Sequence, residues 1–96
     1  MKKIIIKTSD GKEYPARLTM GAMLQFKRET GKEVDEAQGV SDMITLMWCC
    51  TKSACAADGV EFGYGLQEFA DRMSASAVDE FTDAVNDGSQ TYAKKK

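Results

Sequence analysis

The sequence predicts an α+β fold, an N-terminal β-hairpin packed on a bundle of three to four α-helices. Three observations carry this. An Asp-Gly pair (Asp10-Gly11) separates two short strand-like runs. Several downstream stretches repeat apolar residues at helical spacing. Gly31, Gly59 and Gly88 follow those stretches, where helices commonly stop.

The hairpin is expected over 3–18. Ile4-Ile5-Ile6 supplies β-branched residues, and Glu13-Tyr14-Pro15-Ala16-Arg17-Leu18 supplies the second run. A two-residue turn at Asp10-Gly11 suits a type I′ geometry, which needs positive φ at both central positions. That turn pairs Thr8 with Glu13, Lys7 with Tyr14, Ile6 with Pro15 and Ile5 with Ala16. Pro15 then falls in a non-hydrogen-bonded pair, and its missing N–H disables the outer edge of the second strand. Any further β-pairing is expected on the Ile4–Lys7 side.

Thr19 can cap a helix over about 20–30, with Met20, Met23, Leu24 and Phe26 on its apolar side. Gly31 closes it, and Lys27 and Arg28 suit the negative end of its dipole. A polar connector follows over 32–40. The principal helix is expected over 41–57, ending at Asp58-Gly59. One stripe holds Met43, Leu46, Met47, Cys50, Ala54 and Ala57; a second holds Ile44, Trp48 and Cys55. Thr45, Cys49, Lys52 and Ala56 are left as the outer face. An apolar arc this wide calls for cover on two sides, from the domain itself or from a partner. Val60–Gly65 reads as a loop carrying Phe62 and Tyr64. A short helix over 65–73 shows Leu66, Phe69, Ala70 and Met73 on one face. A last helix over 77–87, with Ser76 and Asp79 as a capping box, turns Val78, Phe81 and Val85 inward and stops at Gly88. Residues 1–88 are read as one domain, and 89–96 as a flexible basic tail.

Composition narrows the function. Apolar residues make up 43% of the chain and charged residues 29%, a globular mixture. A chain of 96 residues buries only about 60–65% of its unfolded surface, so its stability margin is small. No apolar run approaches the roughly 20 residues that span a bilayer. The basic-then-apolar start has an apolar core of three residues, too short for a secretion signal, so a cytoplasmic protein is expected. Cys49, Cys50 and Cys55 lie on one helix, and the chain has no histidine. Structural thiols in a reducing compartment fit better than a disulfide or a zinc site.

Without histidine, the usual nucleophile–base systems are missing, and no cofactor motif is present. Asp79, Glu80, Asp83 and Asp87 read as a solvated helix face. We therefore expect no enzyme activity, no cofactor and no metal. Residues 1–32 carry eight basic against three acidic residues, while 33–93 carry two against twelve. Such a basic front and acidic body could dock in a homo-oligomer. Nucleic-acid binding by the basic front is disfavoured by an overall pI near 5.1 and the lack of a basic recognition helix. The methionines, together with Trp48 and the wide arc, suit a binder of helical segments.

The stretch Arg17-Leu18-Thr19-Met20-Gly21-Ala22-Met23-Leu24-Gln25-Phe26-Lys27-Arg28-Glu29-Thr30-Gly31 resembles tail assembly chaperones of long-tailed bacteriophages and prophages. Its Leu-Thr-Met-Gly-Ala entry and Glu-x-Thr-Gly exit carry the similarity, which continues through Leu46-Met47-Trp48 and the patterns at 66–73 and 78–85. The resemblance implies a non-enzymatic role in the bacterial host cell. Such chaperones coat the apolar, helical tape-measure protein and help tail-tube protein polymerise around it. On this reading Ile44, Met47 and Trp48 bind the partner, with Phe62 and Tyr64 nearby; the alternative places Trp48 in the core. Other readings are a structural virion component (head–tail connector or minor tail protein) and a small regulatory module that binds a protein or DNA.

Overall fold

The computed structural model describes the backbone of residues 4–93 and the side chains of residues 4–85. Two strands, β1 (Ile4–Lys7) and β2 (Glu13–Ala16), form an antiparallel hairpin. Four helices follow: α1 (Met20–Thr30), α2 (Gly39–Asp58), α3 (Leu66–Asp71) and α4 (Ala75–Ala93). A single 3₁₀ turn, Val34–Glu36, sits in the connector between α1 and α2. This is the α+β architecture expected from the sequence.

The hairpin register differs from the expected one by a residue. Ile4 faces Ala16, Ile5 faces Pro15, Ile6 faces Tyr14 and Lys7 faces Glu13. The connection is therefore the longer loop Thr8–Lys12, closed by Thr8 N–H donating to the Lys12 carbonyl at 2.9 Å, with Gly11 at φ +88°. Side-chain alternation explains the choice. The observed register gathers Ile4, Ile6, Tyr14 and Ala16 on one face, whereas the two-residue turn would set Ile6 against Pro15 and Tyr14 against Lys7. Thr8 adds to it, its buried hydroxyl donating to the Asp10 carboxylate inside the loop. Pro15 still lies in a non-hydrogen-bonded pair, counting outward from Thr8–Lys12.

Local capping sets α1. Thr19 Oγ1 accepts the Ala22 N–H at 3.0 Å, and Gly31 closes the helix at φ +78° with its N–H on the Lys27 carbonyl. α2 begins two residues earlier than expected. Asp42 reaches back to accept the Gln38 N–H at 2.9 Å and the Lys32 ammonium at 2.7 Å, which holds the first turn closed. It ends at Gly59, as its sequence suggests. At α4 the cap is Ser74 and not Ser76: Ser74 Oγ accepts the Ala77 N–H at 3.1 Å. Moreover, α4 continues past Gly88 to Ala93, so Gly88 does not end it and the helix takes in residues 89–93. A helical glycine costs only about 1 kcal/mol, which a helix of this length absorbs. The expected tail residues 94–96 lie outside the described residues.

Around α2 the other elements form a shell of α1, β2, α3 and α4. Phe26, Phe69, Phe81, Leu46 and Met47 are fully buried in a single cluster with Ile6, Ala16, Trp48 and Val78. Burying side chains of this size is worth roughly 1.5–3 kcal/mol each, which makes this cluster the main source of stability. The α3 and α4 faces read from the sequence do turn inward, with Phe69, Val78, Phe81 and Val85 buried.

Candidate functional site

The five residues expected to meet a partner lie together, but as part of the interior. Met47 is 0% exposed and Trp48 only 7%. Trp48 Nε1–H donates to the Tyr64 carbonyl at 3.0 Å, and Lys52 Nζ sits 4.6 Å above its indole ring. Ile44, Phe62 and Tyr64 are half-buried and pack on the same cluster. Trp48 and Met47 are thus anchors of the core, and the loop over Gly59–Gly65 is bonded to the Trp48 indole. The indole explains that placement: its large apolar area favours burial, and the Tyr64 carbonyl satisfies its single donor.

Phe62 and Tyr64 are fixed by edge-to-face ring contacts. Tyr14 meets Phe62 at 5.2 Å and Tyr64 at 6.0 Å between centroids, and Phe62 meets Tyr64 at 5.5 Å and Phe69 at 5.7 Å. The cluster ties the loop to β2 and α3. At its rim, Tyr64 donates its hydroxyl proton to Asp10 at 2.8 Å, while the Arg72 guanidinium lies 4.9 Å over the Tyr64 ring. Ser9 N–H donates to the Arg72 carbonyl at 3.0 Å. The hydrogen bond from Thr8, then that from Tyr64, holds the Asp10 carboxyl below its ordinary range. The hydrogen bond to Asp10, followed by that of Tyr14, pushes the Tyr64 phenol up to about 12. This network fastens the hairpin loop to the end of α3.

Thr45 and Cys49, expected on the outer face of α2, are buried, as is Thr51. Both threonines donate to carbonyls one turn back, Thr45 to Ser41 at 2.9 Å and Thr51 to Met47 at 2.7 Å. A hydroxyl satisfied by its own helix can be buried at little cost, so polarity alone misplaces it. Ala57, placed in the apolar stripe, is exposed. All three cysteines are free and buried, and burial raises each thiol above its usual range. They are poor nucleophiles in the folded chain. Among the described residues, no group of three or more Cys, Asp or Glu could hold a metal ion. Nor is any helix among them long and apolar enough to cross a membrane. Asp79, Glu80 and Asp83 are exposed on α4; the Asp87 side chain lies outside the described residues.

The apolar surface that does face outward is on α1. Met20 is 70% and Leu24 67% exposed, although both were expected on the inner side. Ala22 and Phe26 take the interior instead. Positions two apart on a helix differ by about 200°, so the pairs Ala22/Phe26 and Met20/Leu24 occupy opposite faces. That spacing was readable in the sequence as a sign that one pair must remain outside. Beside the exposed pair, Gly21 and Gln25 join Cys49, Lys52 and Ser53 around a shallow groove of about 230 Å³ between α1 and α2. A Thr19–Ser53 hydroxyl contact at 2.6 Å pins the start of α1 to α2 there. No known protein family, curated protein or solved structure matches this chain.

Proposed function

We propose that this protein is a non-enzymatic phage tail assembly chaperone of the host cytoplasm, binding the tape-measure protein and helping tail-tube protein polymerise. The exposed Met20/Leu24 pair carries the reading. It lies on α1, the helix that bears the resemblance over Arg17–Gly31. Two long apolar side chains one turn apart match the i, i+4 spacing with which one helix grips the apolar face of another. Methionine suits such a role because its unbranched side chain adapts to varied apolar partners. The groove between α1 and α2 extends the surface on one side, where Lys52 offers a positive charge.

The test is affinity capture of a tagged copy from phage-bearing cells after induction, with co-purifying proteins identified by mass spectrometry. Recovery of a very long helical protein with tail-tube subunits, lost in a Met20→Glu/Leu24→Glu variant that still folds, supports the proposal. Presence of the chain in purified virions would instead make it a structural component. Recovery of DNA or a single host protein would make it a regulator.

A further inference from the structure

In an antiparallel ladder, alternate residues turn their main-chain groups away from the partner strand. Counting from the Thr8–Lys12 bond, Ile4 and Ile6 occupy hydrogen-bonded pairs with Ala16 and Tyr14. The N–H and C=O of Ile5 and Lys7 therefore point to the outer edge of β1. The hairpin's two edges end differently. On β2 the corresponding positions are Glu13, Pro15 and Arg17; Pro15 has no N–H, and Arg17 N–H donates to the Cys50 carbonyl of α2 at 3.3 Å. That edge is closed. A groove of about 410 Å³ lies at β1, its lining completed by Ser74, Ser76, Ala77, Glu80, Phe81 and Ala84 at the start of α4, which packs on that strand. Most of those lining side chains are small.

We propose that this groove receives β1 of a second copy of the chain, antiparallel, joining two hairpins into one four-stranded sheet. Charge selects the occupant. β1 carries Lys7 and follows Lys2-Lys3 in sequence, whereas α4 exposes Asp79, Glu80 and Asp83, with Glu80 in the groove itself. A second copy brings its basic strand to this acidic helix, and two-fold symmetry repeats the match. Lys7 has a competing contact with Glu13 at 3.9 Å, but both side chains are mostly exposed, so that pairing is weak. Ile5, an exposed apolar residue at 48%, gains cover. The register that uses the outward main-chain groups sets Ile5 opposite Lys7 of the second copy. Sliding by two residues would oppose lysines, which repel. With only four residues per strand the interface is small, and a dissociation constant on the order of 10 μM is expected.

Sedimentation of the full chain at concentrations on both sides of about 10 μM tests this. A monomer–dimer equilibrium is expected. Ile5→Pro removes an outward N–H at the position facing Pro15, so no bond within the hairpin is lost. It should weaken dimerisation about tenfold or more with the circular dichroism unchanged. Glu80→Lys, on an exposed helix position, should weaken it as well, and Lys7→Glu in the same chain should restore part of the loss. Should Ile5→Pro fail to fold, the Glu80→Lys pair decides. A monomer at every concentration, or a dimer indifferent to these substitutions, overturns the proposal, as does an edge that takes only unrelated peptides.

Discussion

α1 and α2 are neighbours, α2 the more apolar of the two, and they hide their side chains very differently. α2 is surrounded by α1, β2, α3 and α4, so even Thr45, Thr51 and Cys49 are covered. α1 lies on the outside of the bundle and touches mainly α2 and the 3₁₀ turn; it buries Ala22 and Phe26 while Met20 and Leu24 remain in water. Burial here follows from where a helix sits among its neighbours as well as from how apolar it is, since α2 covers two threonines while α1 exposes a methionine and a leucine. A large apolar residue left on the outer helix is available for work, whereas the same residue on the inner helix is committed to the fold.

The largest effect that would sharpen this contrast is on the inner helix. Met47→Ala removes a fully buried side chain and should cost about 2–5 kcal/mol in denaturant unfolding, because the packed surroundings close the cavity only in part. A cost near zero would mean that Met47 is not in the core. Trp48→Phe should come next, at about 1–3 kcal/mol, since it strips the donor from the Tyr64 carbonyl and shrinks the ring under Lys52. By the same burial, Cys49, Cys50 and Cys55 should react with a thiol reagent only on the timescale of unfolding, and promptly in denaturant.

A smaller effect joins the two helices. Asp42, at the start of α2, is held below the ordinary carboxylate range by its hydrogen bond from Lys32, then by that from the Gln38 N–H. Asp10 is lowered too, by Thr8 first. Groups with depressed folded-state pKa values contribute stability above the unfolded-state value of about 4, and that contribution fades as pH falls through the folded-state value. The melting temperature should therefore decline from about pH 5 to pH 3, and Asp42→Asn should flatten the decline. The smallest change is expected at the outer helix. Met20→Ala and Leu24→Ala should each move stability by no more than about 0.5 kcal/mol, while weakening capture of the partner. A large loss of stability there would erase the distinction between the helices.

The sequence by itself determined the elements whose causes are local. Thr19 and Gly31 bound α1 because a cap hydroxyl and a left-handed glycine act within one turn. Gly59 ends α2 for the same reason, and the alternation around Asp10-Gly11 called for a hairpin. The faces of α3 and α4 followed from periodicity alone. Tertiary structure decided the rest. The hairpin register turned on which parity of residues met the helices, a choice the turn residues leave open. Trp48 became a core anchor once the Gly59–Gly65 loop folded back to offer a carbonyl, and Phe62 and Tyr64 joined it through contacts with Tyr14 and Phe69. The outward turn of Met20 and Leu24 was decided by Phe26, whose larger apolar surface claimed the contact with α2. Turns and caps depend on a few adjacent residues, whereas a buried face depends on elements that arrive from elsewhere in the chain.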